Sequence, residues 1–167
     1  MSYIKYENFL SKDEISLIVK ESQDILEDKS SRFRTNYTSW DFNIVQDSNF
    51  ILVSDITSEN KTLSIIQNSF KKQFSIIPEM VMFYYWFPGS YIPWHEDSHV
   101  TKAYTLYLNN EWDKHWGGSY TCINKNKIEA FYPQYNLLVE QFNGMEHCTS
   151  PTTKFAPVRS TVQIFID

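Results

Sequence analysis

Residues Trp94–His99 read WHEDSH, and two metal motifs compete for them. As H-E-x-x-H, His95, Glu96 and His99 supply the ligands and general base of a zinc peptidase. That reading requires a helix, because only there do positions i and i+4 share a face. As H-x-D, His95 and Asp97 are two-thirds of the facial triad that holds non-haem iron. The neighbouring residues decide. Pro88-Gly89 and Pro93 stand just upstream, and the β-branched, aromatic run HVTKAYTLYL follows. A strand or strand edge is the natural conformation there. On a strand, residues i and i+2 share a face, so His95 and Asp97 point together while Glu96 points away. The iron reading then needs a further histidine. His99 lies too far along the same strand to share one ion, and His115 falls in the polar loop NNEWDKHWGG. His147, after the apolar run NLLVEQF and the turn FNGME, is the best placed.

The 167 residues match the length of one domain with a proper core. The composition is globular, at 42% hydrophobic and 21% charged, and rich in aromatics at 17% with four glycines. That balance points to a sheet-rich or pocket-bearing domain. A net charge of −5 without a basic run opposes binding through nucleic-acid phosphates. Cys122 and Cys148 share no C-x-x-C spacing, and the start MSYIKYENFLSKDE has no apolar signal region. A soluble, cytoplasmic protein with free thiols and no membrane partner is expected. Abundant Asn, Ile, Lys and Tyr fit an AT-rich coding source, bacterial or phage, and then the host cytoplasm.

Two helices precede the strands. Ser11 and Glu14 form a capping box, flanked by Leu10 and Ile15 as a hydrophobic staple. Ile15, Ile18, Ser22, Ile25 and Leu26 share a face, predicting a helix to about Asp28. Leu63, Ile66, Phe70 and Phe74 predict a second from about Glu59 to Phe74. Residues 29–58 carry no clear period. From Pro78 onward, strand-length runs alternate with turns: VMFYYWF, AYTLYLN, SYTCI, KIEAFY, NLLVEQF and STVQIFI. Helices first and strands afterward predict an α+β, mainly β layout, with helices packed on a sandwich or barrel.

At this point the sequence resembles a family: the Fe(II)- and 2-oxoglutarate-dependent oxygenases, in their prolyl 4-hydroxylase-like branch. The resemblance spans residues 81–167. FPGSYIPWHED resembles the turn that leads into the H-x-D ligands, and YTLYLNNEW with GGSYTCI resembles a paired Y-L-N and G-G segment. NLLVEQFNGMEHCTSP resembles the strand and turn that deliver the distal histidine, and VRSTVQIFI the closing strand with its arginine. The resemblance implies a double-stranded β-helix, or jelly roll, buttressed by N-terminal helices. It divides one dioxygenase domain, 1–167, into a helical support region, 1–77, and a jelly-roll core with the active site, 78–167.

The resemblance further implies that His95, Asp97 and His147 hold Fe(II). Arg159 would grip the distal carboxylate of 2-oxoglutarate, a planar guanidinium being suited to bidentate contact. Thr161, Tyr107 and Tyr85 would add hydroxyls to that cosubstrate. The family tyrosine before the P-G turn is Phe87 here, or Trp86 in another register, and Tyr85 on the same face as Phe87 is expected to take its role. The stretch from His147 to Arg159 is longer than in typical prolyl hydroxylases, and the CTSPTTKFAPV loop must absorb it. Trp94, Trp116, Tyr84 and Trp86 are candidate pocket walls. The implied activity is hydroxylation of an unactivated C–H bond with O2. Oxidative decarboxylation of 2-oxoglutarate to succinate and CO2 accompanies it, with ascorbate as a supporting reductant. A prolyl or other residue of a peptide or protein is the expected substrate. The alternatives are a free amino acid or small metabolite and, in another class, a non-catalytic jelly-roll binding module.

Overall fold

The computed structural model describes residues 3–40, 42–97 and 99–167. The chain runs β1 (Tyr3–Tyr6), α1 (Lys12–Glu27), β2 (Arg34–Thr35), α2 (Asn36–Ser39), α3 (Phe42–Val45), β3 (Ile51–Asp55), α4 (Lys61–Phe74) and β4 (Met80–Trp86). It continues through β5 (Ile92–His95), β6 (Lys102–Tyr107), a 3-10 turn (Lys114–Trp116), β7 (Tyr120–Asn124), β8 (Lys127–Phe131), β9 (Leu138–Phe142), β10 (His147–Thr149) and β11 (Arg159–Ile166). The strands form a seven-stranded sheet, β1-β9-β6-β11-β4-β3-β2, and a four-stranded sheet, β5-β10-β7-β8. Both are antiparallel. The layout is mainly β with few helices, as the run of strand-length segments predicts.

Helix α1 starts where its capping box says. Glu14 N donates to Ser11 Oγ at 3.3 Å, and Ser11 N donates back to the Glu14 carboxylate at 2.9 Å. A cap of this kind contributes about 1 kcal/mol. Burying Ile15 and Ile18 contributes about 2 kcal/mol each, so packing holds the helix and the cap sets its first residue. Helix α4 starts two residues later than its periodicity predicts. Asn60 Oδ1 accepts from Thr57 N at 2.8 Å. The first free amides, Lys61 N and Thr62 N, instead donate to the Glu21 carboxylate of α1 at 3.0 and 2.8 Å. A carboxylate at a helix N-terminus satisfies orphan donors and favours the dipole, so one side chain fixes α4 against α1.

The region 1–77 is more than the expected helical support. It also supplies β1 at one edge of the large sheet and β3 and β2 at the other. YIKY and RT are too short and too polar to show a period of two, which is why pattern alone passes over them. In the unpatterned stretch, buried Asn36 does the organising. Its Oδ1 accepts from Ile51 N at 3.1 Å, which fixes the start of β3.

The central strands of the large sheet are buried on both faces, which explains near-continuous runs such as VMFYYWF. Val81, Phe83 and Tyr85 of β4, Tyr104 and Leu106 of β6, and Val162 and Ile164 of β11 pack with Ile15, Ile18, Ile66 and Phe70 of the helices. The alternate residues face the smaller sheet: Tyr84 and Trp86, Thr105 and Tyr107, Arg159 and Gln163. A one-residue slip in any of these strands would exchange the two sets.

Candidate functional site

The four-stranded sheet brings the candidate ligands together. Strand β5 ends at His95, and β10 opens with His147 directly opposite it. The two imidazoles are therefore cross-strand neighbours, with centroids 4.3 Å apart. Asp97 arrives differently from the strand expectation. The chain has left β5 by then, and Asp97 turns in from the following loop. Its carboxylate lies 3.9 Å from His95 Nε2 and 3.6 Å from His147 Nε2. Ligand atoms from all three residues lie within 4.8 Å of one another. Metal bonds to nitrogen and oxygen are about 2.0–2.2 Å, so these three residues could hold one ion after small side-chain adjustments.

Backbone carbonyls fix both rings. His95 Nδ1 donates to Pro93 O and His147 Nδ1 donates to Met145 O, each at 2.8 Å. A carbonyl can only accept, so each Nδ1 carries the proton and each Nε2 lone pair faces the centre. Burial lowers the His147 pKa, the neighbouring His95 adds to that, and Asp97 opposes both. A neutral imidazole is the form that ligates. None of the described residues of WHEDSH is helical, and Glu96 and His99 are exposed, which opposes the H-E-x-x-H arrangement. His115 is exposed too, held by Asp113 at 2.9 Å.

A cavity of about 470 Å³, including its mouth, opens beside the triad between the two sheets. Arg159 forms part of its wall. The residue is 1% exposed, and its Nε and Nη1 have no hydrogen-bond partner. Among the described residues, no carboxylate lies within ion-pair distance of it. Its guanidinium carbon instead stands 4.6 Å from the Trp86 ring centre and 5.2 Å from that of Tyr107. Cation–π contact of this kind recovers only part of the cost of burying a charge. Burial lowers the Arg159 pKa, with Tyr107 acting the other way. The Tyr107 hydroxyl is buried and unpartnered as well. Burial raises its pKa more than the guanidinium lowers it, so it remains a donor.

Gly117 and Gly118, both at positive φ, make room for this wall. A Cβ on Gly118 would stand 3.0 Å from Thr152 Cγ2 and 3.1 Å from Trp112 Cζ2, and one on Gly117 would collide with the Pro151 carbonyl. The long loop before Arg159 is pinned at the same place: Thr152 O accepts from Gly89 N at 3.1 Å, and Thr152 bridges to Gly117.

Other expected residues lie elsewhere. Tyr85 belongs to the opposite face of β4, and its hydroxyl donates to Ser22 O of α1 at 2.9 Å. It cannot reach the cavity, because the period of two turns it toward the helices. Phe87 packs on Phe50, 4.9 Å between centroids. Trp94, 43% exposed, lies outside the cavity, as does Trp116, which packs edge-on against Trp112. Tyr84 and Trp86 do line it. Thr161 shares the Arg159 face, and its Oγ1 accepts from Trp86 Nε1 at 3.4 Å and Gln163 Nε2 at 3.3 Å. Sequence reasoning missed Trp40, Tyr120, Gln141 and Gln163, all lining residues. Gln163 was findable from its two-residue spacing to Thr161 and four-residue spacing to Arg159. Trp40 came from the unpatterned stretch and carried no signal. Burial raises the Tyr120 pKa, with the Gln141 side chain opposing.

Sequence comparison places the chain in no family: no family model and no curated protein matches it. Its fold does match solved structures. A prolyl-4-hydroxylase from Pseudomonas putida superposes with a TM-score of 0.75 at 16% identity, over 99% of this chain and 92% of that one. A Trichoplax adhaerens prolyl hydroxylase, in complex with a hypoxia inducible factor oxygen degradation domain peptide fragment, gives 0.80 at 14%, over 99% and 84%. The viral collagen prolyl hydroxylase of Paramecium Bursaria Chlorella virus-1, in a 2OG complex, gives 0.69 at 13%, over 99% and 95%. At such identities the likeness establishes a shared fold. Among the described residues, no helix is long and apolar enough to cross a membrane.

Proposed function

We propose that this chain is an Fe(II)- and 2-oxoglutarate-dependent dioxygenase that hydroxylates a prolyl or other residue of a peptide or protein. In this reading residues 1–167 work as one domain, the two sheets are a double-stranded β-helix, and the cavity between them is the active site. The observation that carries it is Arg159: a fully buried cation with two unpartnered N–H groups, in the same cavity as a His-Asp-His cluster. A buried charge without a counter-ion is costly, and an anionic ligand reaching from the cluster to Arg159 removes that cost. The donor set fits the implied groups. Two neutral imidazoles and one carboxylate suit Fe(II) and leave coordination positions open, and a guanidinium beside a phenol suits a carboxylate.

In this reading His95, Asp97 and His147 hold the iron. Arg159 and Tyr107 hold the distal carboxylate of 2-oxoglutarate, and Thr161 steadies the Trp86 indole beneath the guanidinium. Bound together, iron and cosubstrate supply the oxidising chemistry that converts O2 and an unactivated C–H bond to an alcohol, with succinate and CO2 released. The protein contributes orientation and exclusion of water. Trp40, Tyr84 and Trp86 wall the cavity with aromatic surface, and the carbonyl-anchored imidazoles keep their lone pairs aimed at one point.

The lining favours a peptide over a free amino acid. Beyond Arg159, Asp97 and the histidines, its described side chains are uncharged, among them Thr105, Gln141 and Gln163. A zwitterion would need a partner for each of its charges, whereas a residue within a peptide brings only amides. The peptide bound to the Trichoplax protein supports the same preference. Free Cys122 and Cys148 agree with a reducing, cytoplasmic setting.

Anaerobic Fe(II) and 2-oxoglutarate should together produce a visible charge-transfer band that neither gives alone. Admitting O2, with and without ascorbate, should release succinate, and proline-containing peptides should accelerate the release. Asp97→Ala should reduce turnover at least a hundredfold. Tight metal binding with no response to 2-oxoglutarate would sink the reading and favour a binding module.

A further inference from the structure

Three side chains of the cavity carry buried polar atoms without partners: Arg159, Tyr107 and Tyr120. The dioxygenase reading employs the first two, and Tyr120 is left over. It opens β7 immediately after Gly117-Gly118-Ser119. Its ring lies nearly parallel to His147, 27° apart with centroids 5.5 Å away. Phe131 packs on it at 5.0 Å, and Tyr3 meets it edge-on at 6.4 Å. With aromatic neighbours around it, the ring is confined, and the residue is 3% exposed. The hydroxyl oxygen is itself buried. Gln141 is the polar neighbour of that hydroxyl, yet no hydrogen bond of normal geometry joins them.

Phenylalanine would fill the same space without burying an unsatisfied oxygen, so the packing alone gives no account of the hydroxyl. Its location does. Tyr120 stacks on one ligand of the triad and shares a packed cluster with Tyr107, the neighbour of Arg159. Tyr120 lines the same cavity as the triad and Arg159, so an anion held between them shares that space with its side chain. A 2-oxo acid offers only acceptor oxygens along that length, and a phenol is a donor.

We infer that Tyr120 is a further cosubstrate-binding residue, its hydroxyl donating a charge-assisted hydrogen bond to the bound 2-oxo acid. The inference rests on the dioxygenase reading and adds a contact from the smaller sheet to those already assigned on the larger one. With Tyr107 and Arg159, the donors then close on the ligand from both sheets.

The test uses the full-length chain and Tyr120→Phe, which keeps the ring and removes only the oxygen. Mn(II) replaces iron so that binding is measured without turnover, and 2-oxoglutarate is titrated by calorimetry. The variant should bind 2-oxoglutarate about tenfold more weakly. Its Mn(II) affinity should match the parent, and its metal-free melting temperature should be equal or higher. Unchanged 2-oxoglutarate affinity would overturn the inference and leave Tyr120 as packing. Weaker Mn(II) binding with a lowered melting temperature would also overturn it, tracing the effect to His147. If the parent binds Mn(II) but no 2-oxoglutarate, the dioxygenase reading fails and this inference fails with it.

Discussion

The seven-stranded sheet has two faces, and adjacent residues of β4 show how they differ. Tyr85 faces the helices, and its hydroxyl donates to the Ser22 carbonyl. Trp86, the next residue, faces the cavity and lies against a guanidinium that lacks a counter-ion. The pattern extends across the sheet. On the helix side, Glu140 takes hydrogen bonds from Tyr6 at 2.6 Å, Lys102 at 2.6 Å and Tyr104 at 3.1 Å. On the cavity side, Arg159 and Tyr107 wait unpaired, and Tyr120 does the same across the gap. Among the described residues, Thr62 Oγ1 of α4 is the single buried side-chain polar atom without a partner on the helix side. One face is nearly complete as folded. In the proposed reading the other is completed by a ligand, and that contrast separates stability from function within one set of strands.

The contrast can be broken most strongly at Phe70. This ring is fully buried between α4 and the sheet, 4.9 Å from Tyr104. Phe70→Ala should cost about 3–5 kcal/mol and lower the melting temperature by on the order of 10 °C. Ligand affinity of the protein that remains folded should not change. Chemical denaturation followed by a 2-oxoglutarate titration checks both halves. A large change in affinity would show that the two faces are coupled.

Arg159→Met probes the opposite case. It replaces an unpaired buried cation with an apolar chain of similar length, so the metal-free protein should be as stable as the parent or more so. Affinity for 2-oxoglutarate should fall by about 2–5 kcal/mol, the range for removing one partner of a buried charge pair. Calorimetry and thermal melts give the two numbers. A loss of stability would mean that Arg159 is structural.

A matched pair of tyrosines sharpens the comparison with smaller effects. Tyr85→Phe should destabilise by about 1 kcal/mol and leave cosubstrate binding unchanged, because it deletes a satisfied hydrogen bond. Tyr107→Phe should leave stability unchanged and weaken 2-oxoglutarate by about 1.5–3 kcal/mol, the range for a bond to a charged group. Exchange of these two outcomes would invert the assignment of the faces.

Much of this arrangement was legible from the chain. The capping box fixed the start of α1, the apolar period located α4, and the prolines around WHEDSH excluded a helix there. His95, Asp97, His147, Arg159 and Tyr107 were all identifiable, and the structure gathers them at one cavity. The failures have specific causes. Tyr85 was assigned because it shares a strand face with Phe87, but that face of β4 turns to the helices and the face of Trp86 lines the cavity. Trp94 and Trp116 were chosen as aromatics near motifs, and aromatic character does not report burial. Trp40 reaches the cavity from a stretch with no period at all.

By itself the sequence determined what depends on neighbours along the chain: the start of α1, strand-length runs, the tight Gly117-Gly118 turn, and the residue types able to hold a metal or a carboxylate. Only the tertiary structure decided which side chains meet. The registers that set His147 opposite His95 and Arg159 opposite Trp86 join residues 52 and 73 positions apart. Hydrogen bonding between distant strands selects those pairs, and their shared burial leaves Arg159, Tyr107 and Tyr120 facing one space without partners of their own.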